Sequence, residues 1–456
     1  MAVTTVQPRM VLQKLWRYFC CGVVRVFYRK CEVEGLELLP AEGPVLLCAN
    51  HTNSLADVVV ILAASPRPVH PLARSGLFNM LTLRPFLALL QAVPVYRRQD
   101  SDGDTSANVD SFARCYDMFA RGEVLLIFPE GISHSDPRLH PIKTGAARMA
   151  LGAKQAMGRA PVVVPVGLNF TQKGKFGSSV FVRFGQPVDL ESFPGGQNED
   201  DVRRLTKEIQ NALEAVTLNV DTHLELQQLQ SIERFFVMRH GKYRRRDLRQ
   251  RFRALRELNQ VYHELRTRHP RSVRRLRRRL YQFERLCKRW GVHDYHLTVS
   301  YRPGVVTRFI LRSLTILFLI LPLAAWGIVN SIVPFLLTRH LARLGSEGSY
   351  HYDTAKMVLG LFLFSLFWGA QTGAVYYFLG MTTAVVYAAS LPVTAAAAMV
   401  FRRERGRIWE NLRVFFLFVR KRKLRRYLEA RRNEIEVQLA QLVRLAKRSA
   451  NNFKKT

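Results

Sequence analysis

The apolar positions along the chain fall into zones with different periods. Between residues 35 and 220, short runs rich in Val and Leu are bounded by turn residues, as in PVLLCAN (Pro44 to Asn50), EVLLIFPEG (Glu123 to Gly131) and APVVVPVGLNF (Ala160 to Phe170). Runs of this length between Pro, Gly and Asn read as buried strands. SSVFVRFGQPV (Ser178 to Val188) adds a late strand. Between the runs, Asn108 to Arg121 and Thr144 to Met157 carry helical patterns. Strand and helix alternate, which predicts an α/β domain over 35–220 with a central mixed sheet flanked by helices.

The flanking zones differ. Val11 to Tyr28 is apolar but interrupted by Lys14, Arg17 and Arg25. Residues 1–34 therefore read either as an amphipathic helix in a membrane interface or as a helix packed on the domain. Residues 221–300 carry dense Arg with Leu, Phe and Tyr at three- and four-residue intervals, a basic helical region. It reads as a helical pair along anionic headgroups or as a solvated spacer; the shortage of nearby acids favours the headgroups.

Two long apolar blocks follow, Phe309 to Leu337 and Met357 to Phe401, within a transmembrane region assigned to 301–405. At about 20 residues per crossing, the first block spans once and the second twice, divided near Leu379 to Thr383. Arg302, Arg308 and Arg312 precede the blocks and Arg402 to Arg407 follow them. Basic flanks favour one membrane side, which calls for an even number of crossings. One segment is therefore expected to be re-entrant, the first block with Pro322 and Pro334 being the candidate. Residues 406–456 read as a basic helical tail.

Charge narrows the partners. The 456 residues hold 69 Lys and Arg against 35 Asp and Glu, a formal net charge of +34. Such a balance implies an anionic partner. The apolar blocks favour anionic membrane lipids, and neither zinc-finger spacing nor a Gly-aromatic RNA-binding signature is present, so nucleic acid is not expected. Cys20, Cys21, Cys31, Cys48, Cys115 and Cys287 have no metal-ligand spacing. Cys20 and Cys21 read as acylation sites or as buried small hydrophobes. No disulfide is expected, which fits a cytoplasmic catalytic domain. The opening MAVTTVQPRM lacks the pattern of a cleavable secretory leader.

Four segments carry candidate chemistry. NHTNSLAD (Asn50 to Asp57) follows a strand and opens a helix, a place where sheet edges present side chains to ligands. Histidine as a residue type is suited to taking a proton from a hydroxyl near neutral pH, which makes His51 a candidate base, and Asp57 is suited to orienting it; alone, the pair also reads as a helix cap. AVPVYRRQD (Ala92 to Asp100) places Arg97 and Arg98 past a short strand, where Arg suits bidentate phosphate contacts. FPEGISH (Phe128 to His134) puts Glu130 and Gly131 after a strand, with Glu130 placed to bind a substrate hydroxyl or to orient a phosphate-binding cation. PIKTGAARMAL (Pro141 to Leu151) puts Lys143 at a helix N-terminus, a ready anion site. Each alone also reads as a solvated charge or an ordinary turn.

Their order is informative. The chain resembles the glycerolipid acyltransferases, which include the glycerol-3-phosphate and 1-acyl-glycerol-3-phosphate acyltransferases and show four blocks in fixed order. The His-to-Asp block matches at His51 and Asp57, the second at Arg97, the Glu-Gly block at Glu130, Gly131 and Ser133, and the Pro-containing strand at Pro165. The resemblance covers about residues 35 to 220. His and Asp are separated by five residues where the family usually has four, a form similar to the yeast-type dual-substrate glycerol-3-phosphate acyltransferases. Where the third block usually carries Thr and Arg after Gly, this chain has Ile132 and Ser133, which shifts phosphate binding to Lys143 and Arg97.

The resemblance implies an O-acyltransferase of phospholipid biosynthesis. His51 acts as general base with Asp57 orienting it; Arg97, Glu130, Gly131, Ser133 and Lys143 form the substrate site, with backbone N–H groups near Gly131 serving the oxyanion. The donor is acyl-CoA or an acyl carrier protein thioester and the acceptor a glycerol phosphate, with no cofactor and no metal. Dihydroxyacetone phosphate or another lysophospholipid are alternative acceptors. A non-catalytic basic lipid-binding membrane protein and a nucleic-acid-binding membrane protein are the rival readings. The expected location is a bacterial inner membrane or the endoplasmic reticulum, with the catalytic domain cytoplasmic.

Overall fold

The computed structural model describes residues 8–79, 84–96, 108–173, 175, 177–194, 196, 198–240, 247–298, 303–344 and 352–453. The chain forms two compact units. The first holds the described chain up to His223 with the short stretch ending at Phe252; the second holds the other helices.

The first unit runs α1 (Pro8–Phe27), β1 (Lys30–Glu34), β2 (Val45–Ala49), α2 (Leu55–Ala64), β3 (Val69–Arg74), α3 (Arg84–Leu89), β4 (Val93–Val95), α4 (Asn108–Ala120), β5 (Val124–Ile127), α5 (Gly145–Met157), β6 (Val162–Phe170), β7 (Ser179–Phe184) and α6 (Glu199–Val216). The seven strands form one mixed sheet in the order β1-β7-β6-β2-β5-β3-β4. Only the β6–β7 pair is antiparallel among the described pairings. The chain between those two strands is too short for a crossover, so they close as a hairpin. β2 lies between β5 and β6, and all five of its side chains are buried. Burial on both faces explains its unbroken apolar run.

Helices α4, α5 and α6 cover one face of the sheet. Phe119, Met149, Leu151, Leu205 and Leu213 pack there on Leu46, Leu125 and Val163. Each fully buried side chain of this size contributes roughly 1.5–3 kcal/mol. α1 packs on α2, burying Cys20 and Val24 while leaving Leu15, Tyr18 and Val26 exposed. The packed and the membrane-interface readings of this helix thus concern different faces of it.

Two strands were not evident from the apolar pattern. β1, KCEVE, is an edge strand whose Glu32 carboxylate accepts the backbone N–H groups of Leu248 (2.7 Å) and Arg249 (3.1 Å). With Leu248 and Phe252 packed on Phe181, this explains why these residues join the first unit although they fall in the 221–300 zone. β3 contains Pro71, which is tolerated because β3 pairs with β5 over Val69–Pro71 and with β4 over Leu72–Arg74.

The second unit comprises α7 (His223–His240) after its first residue, α8 (Leu248–Arg268) beyond Phe252, α9 (Pro270–Trp290), α10 (Asp294–Thr298), α11 (Pro303–Leu344), α12 (Tyr352–Arg420) beyond Thr354, and α13 (Arg422–Phe453). α9 buries Val273, Leu276, Leu280, Phe283 and Cys287, a helical stripe, and packs on α13. The boundary expected at 405 falls inside α12. Arg and Glu there are good helix formers, and Arg407 pairs with Glu404 at 3.0 Å.

Within α11 and α12, the stretches Thr307–Leu344 and Val358–Arg420 are long and apolar enough to cross a membrane. α11 runs unbroken through Pro322 and Pro334, so the re-entrant break expected in that block does not occur. α12 is broken at Gly380 (φ 81°, ψ 175°), inside the stretch expected to divide it. Gln371 and Tyr387 lie 16 positions apart and meet at 3.4 Å. In one straight helix they would stand about 24 Å apart, so the chain turns back at Gly380. Tyr387 also donates to Asn330 Oδ1 (2.6 Å), and Gln371 to Asn330 O (3.2 Å). Gly327 lies against the Thr394 carbonyl so closely that a Cβ would collide with it. Polar side chains and a small residue thus join three helical segments.

Candidate active site

β2 and β5 are parallel neighbours, so the loops leaving their C-terminal ends emerge side by side. In open α/β sheets that edge is where ligands bind. The β2 loop carries His51 and ends at Asp57 in the first turn of α2. The β5 loop carries Glu130, Gly131 and Ser133. Asn50 anchors the first loop to β6, donating to Leu168 O (3.2 Å) and accepting from Leu168 N (2.7 Å).

His51 Nδ1 lies 3.0 Å from Asp57 Oδ2. The same oxygen accepts the backbone N–H groups of Thr52 and Asn53, each at 2.7 Å. The Asp57 side chain is fully buried and the imidazole is 17% exposed. A carboxylate held by two amides accepts the Nδ1–H, leaving Nε2 as the acceptor. The ring stacks on Phe128, with centroids 4.1 Å apart, and that contact fixes its plane. Ser54, at the turn, has φ 48° and ψ −128°, a strained conformation for a residue with a Cβ.

The two loops are zipped together. His51 N donates to Glu130 Oε1 (2.7 Å), His134 N donates to His51 O (3.1 Å), and Ser54 N donates to Ser133 Oγ (3.0 Å). Glu130 Oε2 accepts from His140 N (2.8 Å) and bonds His134 Nε2 (2.5 Å). The Glu130 side chain is fully buried, and its carboxylate holds the backbone around His51. The Ser133 hydroxyl likewise joins the loops. Gly131 has φ +73° and its own N–H donates to Phe128 O (3.0 Å), so that one group among those near Gly131 is already engaged.

Lys143 lies with its side chain across Gly131, where a Cβ would come within 3.0–3.1 Å of its Cδ, Cε and Nζ. Its backbone N donates to Pro129 O (2.8 Å), and its residue is exposed. Of the seven site residues expected from the sequence, His51, Asp57, Glu130, Gly131, Ser133 and Lys143 share this sheet edge; Arg97 lies outside the described residues.

Two features were not anticipated. Lys173, just past β6, donates from Nζ to Ser135 O (3.1 Å) and Asp136 O (3.4 Å). Burial lowers its pKa, while Asp57, Glu130 and Asp136 push it back up. His134, Asp136 and His140 bring potential ligand atoms within 4.8 Å of one another. However, the two imidazoles stack nearly parallel (3.8 Å, 12°), so their lone pairs do not converge on one ion. Lys173, Asp136 and His140 lie outside the four segments, and His134 ends one of them; both features arise from loops meeting at the sheet edge. Cys48 on β2 is buried, which pushes its thiol up to about 12 and leaves it a poor nucleophile.

Comparison with known proteins places this geometry. Residues 30–169 match the acyltransferase family model. Those residues form a domain of the acyltransferase family. Over 134 residues the chain is 36% identical to glycerol-3-phosphate O-acyltransferase 2 of Saccharomyces cerevisiae, covering 28% of this chain and 18% of that protein. It is 28% identical over 154 residues to a chloroplastic 1-acyl-sn-glycerol-3-phosphate acyltransferase of Brassica napus, covering 34% and 41%. The chain thus matches under a fifth of the length of the yeast relative. A crystal structure of the 1-acyl-sn-glycerophosphate acyltransferase from Thermotoga maritima aligns with a TM-score of 0.35 at 20% identity, covering 47% of this chain and 84% of that one. The acyltransferase domain includes β1 to β6, and with them both loops of the candidate site.

Proposed function

We propose that this protein transfers a fatty acyl group from a thioester, acyl-CoA or acyl carrier protein, to the hydroxyl of a glycerol-phosphate acceptor. The observation that carries the reading is the imidazole of His51. It is oriented through Nδ1 by a buried Asp57 and its side chain keeps 17% exposure, at the sheet edge of an acyltransferase-family domain. Likeness to the yeast glycerol-3-phosphate O-acyltransferases supports glycerol-3-phosphate as acceptor; likeness to 1-acyl-sn-glycerol-3-phosphate acyltransferases supports its monoacylated form.

In this mechanism Nε2 of His51 takes the acceptor hydroxyl proton as the oxygen attacks the thioester carbonyl. The tetrahedral intermediate collapses, the C–S bond breaks, and the imidazolium returns the proton to the leaving thiolate. Asp57 stabilises the imidazolium between the two transfers. Lys143 and Arg97 hold the acceptor phosphate. The apolar stretches of α11 and α12 anchor the enzyme in a membrane, with the catalytic domain on the cytoplasmic face and the basic helices against anionic lipid. That arrangement suits a reaction whose donor chain and product both partition into the bilayer.

The test is to incubate the purified full chain with labelled acyl-CoA or acylated carrier protein and a panel of glycerol-3-phosphate, dihydroxyacetone phosphate and lysophosphatidate, then identify the product. His51→Ala should lower turnover by about three orders of magnitude or more with the far-UV spectrum unchanged. Turnover by wild type that survives intact in His51→Ala would overturn the mechanism; thioester left unconsumed by wild type with every acceptor would favour a non-catalytic lipid-binding protein.

A further inference from the structure

From the contacts around it, we infer that Lys173 is a positioning residue that keeps the His51–Asp57 pair in its working charge state. The inference rests on the proposed reaction and adds a residue to it.

The site contains two fully buried carboxylates, Asp57 and Glu130, on loops joined by hydrogen bonds through His51. Two buried anions close together oppose each other's ionisation unless a cation offsets them. Lys173 is such a cation. It follows β6, the neighbour of β2 on the side away from β5. Its ammonium reaches back to the carbonyls of Ser135 and Asp136, directly after the loop that carries Ser133 and His134. The electrostatic partners it senses are Asp57 on α2, and Glu130 and Asp136 on the β5 loop.

The imidazoles nearby do not replace this charge. His134 bonds Glu130, while His140 (2.8 Å) and the exposed His223 (3.9 Å) pair with Asp136. An ordinary imidazole carries full charge only below about pH 6.5, whereas an ordinary lysine titrates far above that, and Asp57, Glu130 and Asp136 oppose the lowering that burial brings to Lys173. The sequence places Lys173 in a polar turn, TQKGKF, where it looks like a solvated residue. Only the fold turns its head inward.

The consequence has a definite sign. Without the ammonium, the potential around His51 becomes more negative. Its imidazolium then holds the proton to higher pH, so less base is free at pH 7. The acid limb of kcat/KM should move up.

The experiment compares full-length wild type, Lys173→Met and Lys173→Arg. The kcat/KM profile from pH 5 to 9 is measured for acyl transfer. The rate at which diethyl pyrocarbonate carbethoxylates His51 over the same range, read by peptide mass spectrometry, reports the imidazole without needing turnover. Lys173→Met should shift both midpoints upward by about half a unit to one unit and lower kcat/KM at pH 7 several-fold, with recovery near pH 9. Lys173→Arg should keep the wild-type midpoint. If Lys173→Met lowers thermal stability but leaves the His51 midpoint in place, Lys173 is a strut and the inference is overturned. If wild type shows no acyl transfer, the proposed reaction fails, and the carbethoxylation midpoint still decides the electrostatic claim.

Discussion

At the sheet edge, Asp57 and Glu130 are buried and their oxygens bind backbone amides and imidazoles. In the helical unit, Arg271, Arg274, Arg275, Arg278, Arg285 and Arg289 of α9 stand exposed in a row opposite a buried apolar stripe. A charge count alone gives the arginines far more weight than the two acids. Position reverses that ranking. A solvated arginine is screened and individually replaceable, whereas a buried carboxylate leaves several donors without an acceptor when it is removed.

Glu130→Ala should show the largest effect. It strips the acceptor from His51 N, His140 N and the His134 ring, and should lower stability by about 2–4 kcal/mol. Arg275→Ala should lie within about 0.5 kcal/mol of wild type. Denaturant titrations of both variants check the contrast. A stable Glu130→Ala protein with only a raised KM for the acceptor would return Glu130 to the substrate-binding role expected from the sequence.

Gly327→Val extends the comparison to a site where packing, not charge, decides. The new side chain meets the Thr394 carbonyl and should destabilise the helical unit by about 1–3 kcal/mol. A thermal scan in detergent reads this; a wild-type midpoint would mean that the two segments do not pack there.

Lys143→Ala tests an exposed charge expected to act on a ligand instead of on the fold. The acceptor KM should rise roughly tenfold while the stability midpoint stays put. An unchanged KM would remove Lys143 from the phosphate site.

The smallest effect concerns a buried imidazole in the helical unit. Burial lowers the pKa of His296, although Asn411 (3.0 Å) and Glu410 oppose the shift. The folded state therefore binds the proton less readily than the unfolded state. Full stability is present above about pH 6.5, and it declines as pH falls below that value because the unfolded chain takes up the proton first. His296→Gln should flatten this decline by roughly 1 kcal/mol or less between pH 6.5 and 5. Parallel wild-type and variant curves would show that His296 does not carry the dependence.

Legibility followed burial. Strands β2, β5 and β6 stand out as unbroken apolar runs because both faces of each are covered. The spacing of His51 and Asp57 was readable because strand, loop and helix N-terminus are local features, and the turn near Gly380 because the second apolar block is long enough for two crossings. β1 and β3 were hidden by Glu32, Glu34, Pro71 and Arg74, whose tolerance depends on edge position and on staggered partners. Glu130 and Ser133 were expected at a substrate; the fold uses both to join two loops.

By itself the sequence determined the α/β pattern, the excess of positive charge, the long apolar helices and the order of the four blocks, since all of these follow from periodicity and composition. Tertiary structure alone decided that Glu130 faces His51's backbone, that Gly131's N–H is taken, and that Lys173 points inward. These contacts join loops at the ends of β2, β5 and β6, far apart along the chain, and only the strand order brings them within hydrogen-bond reach.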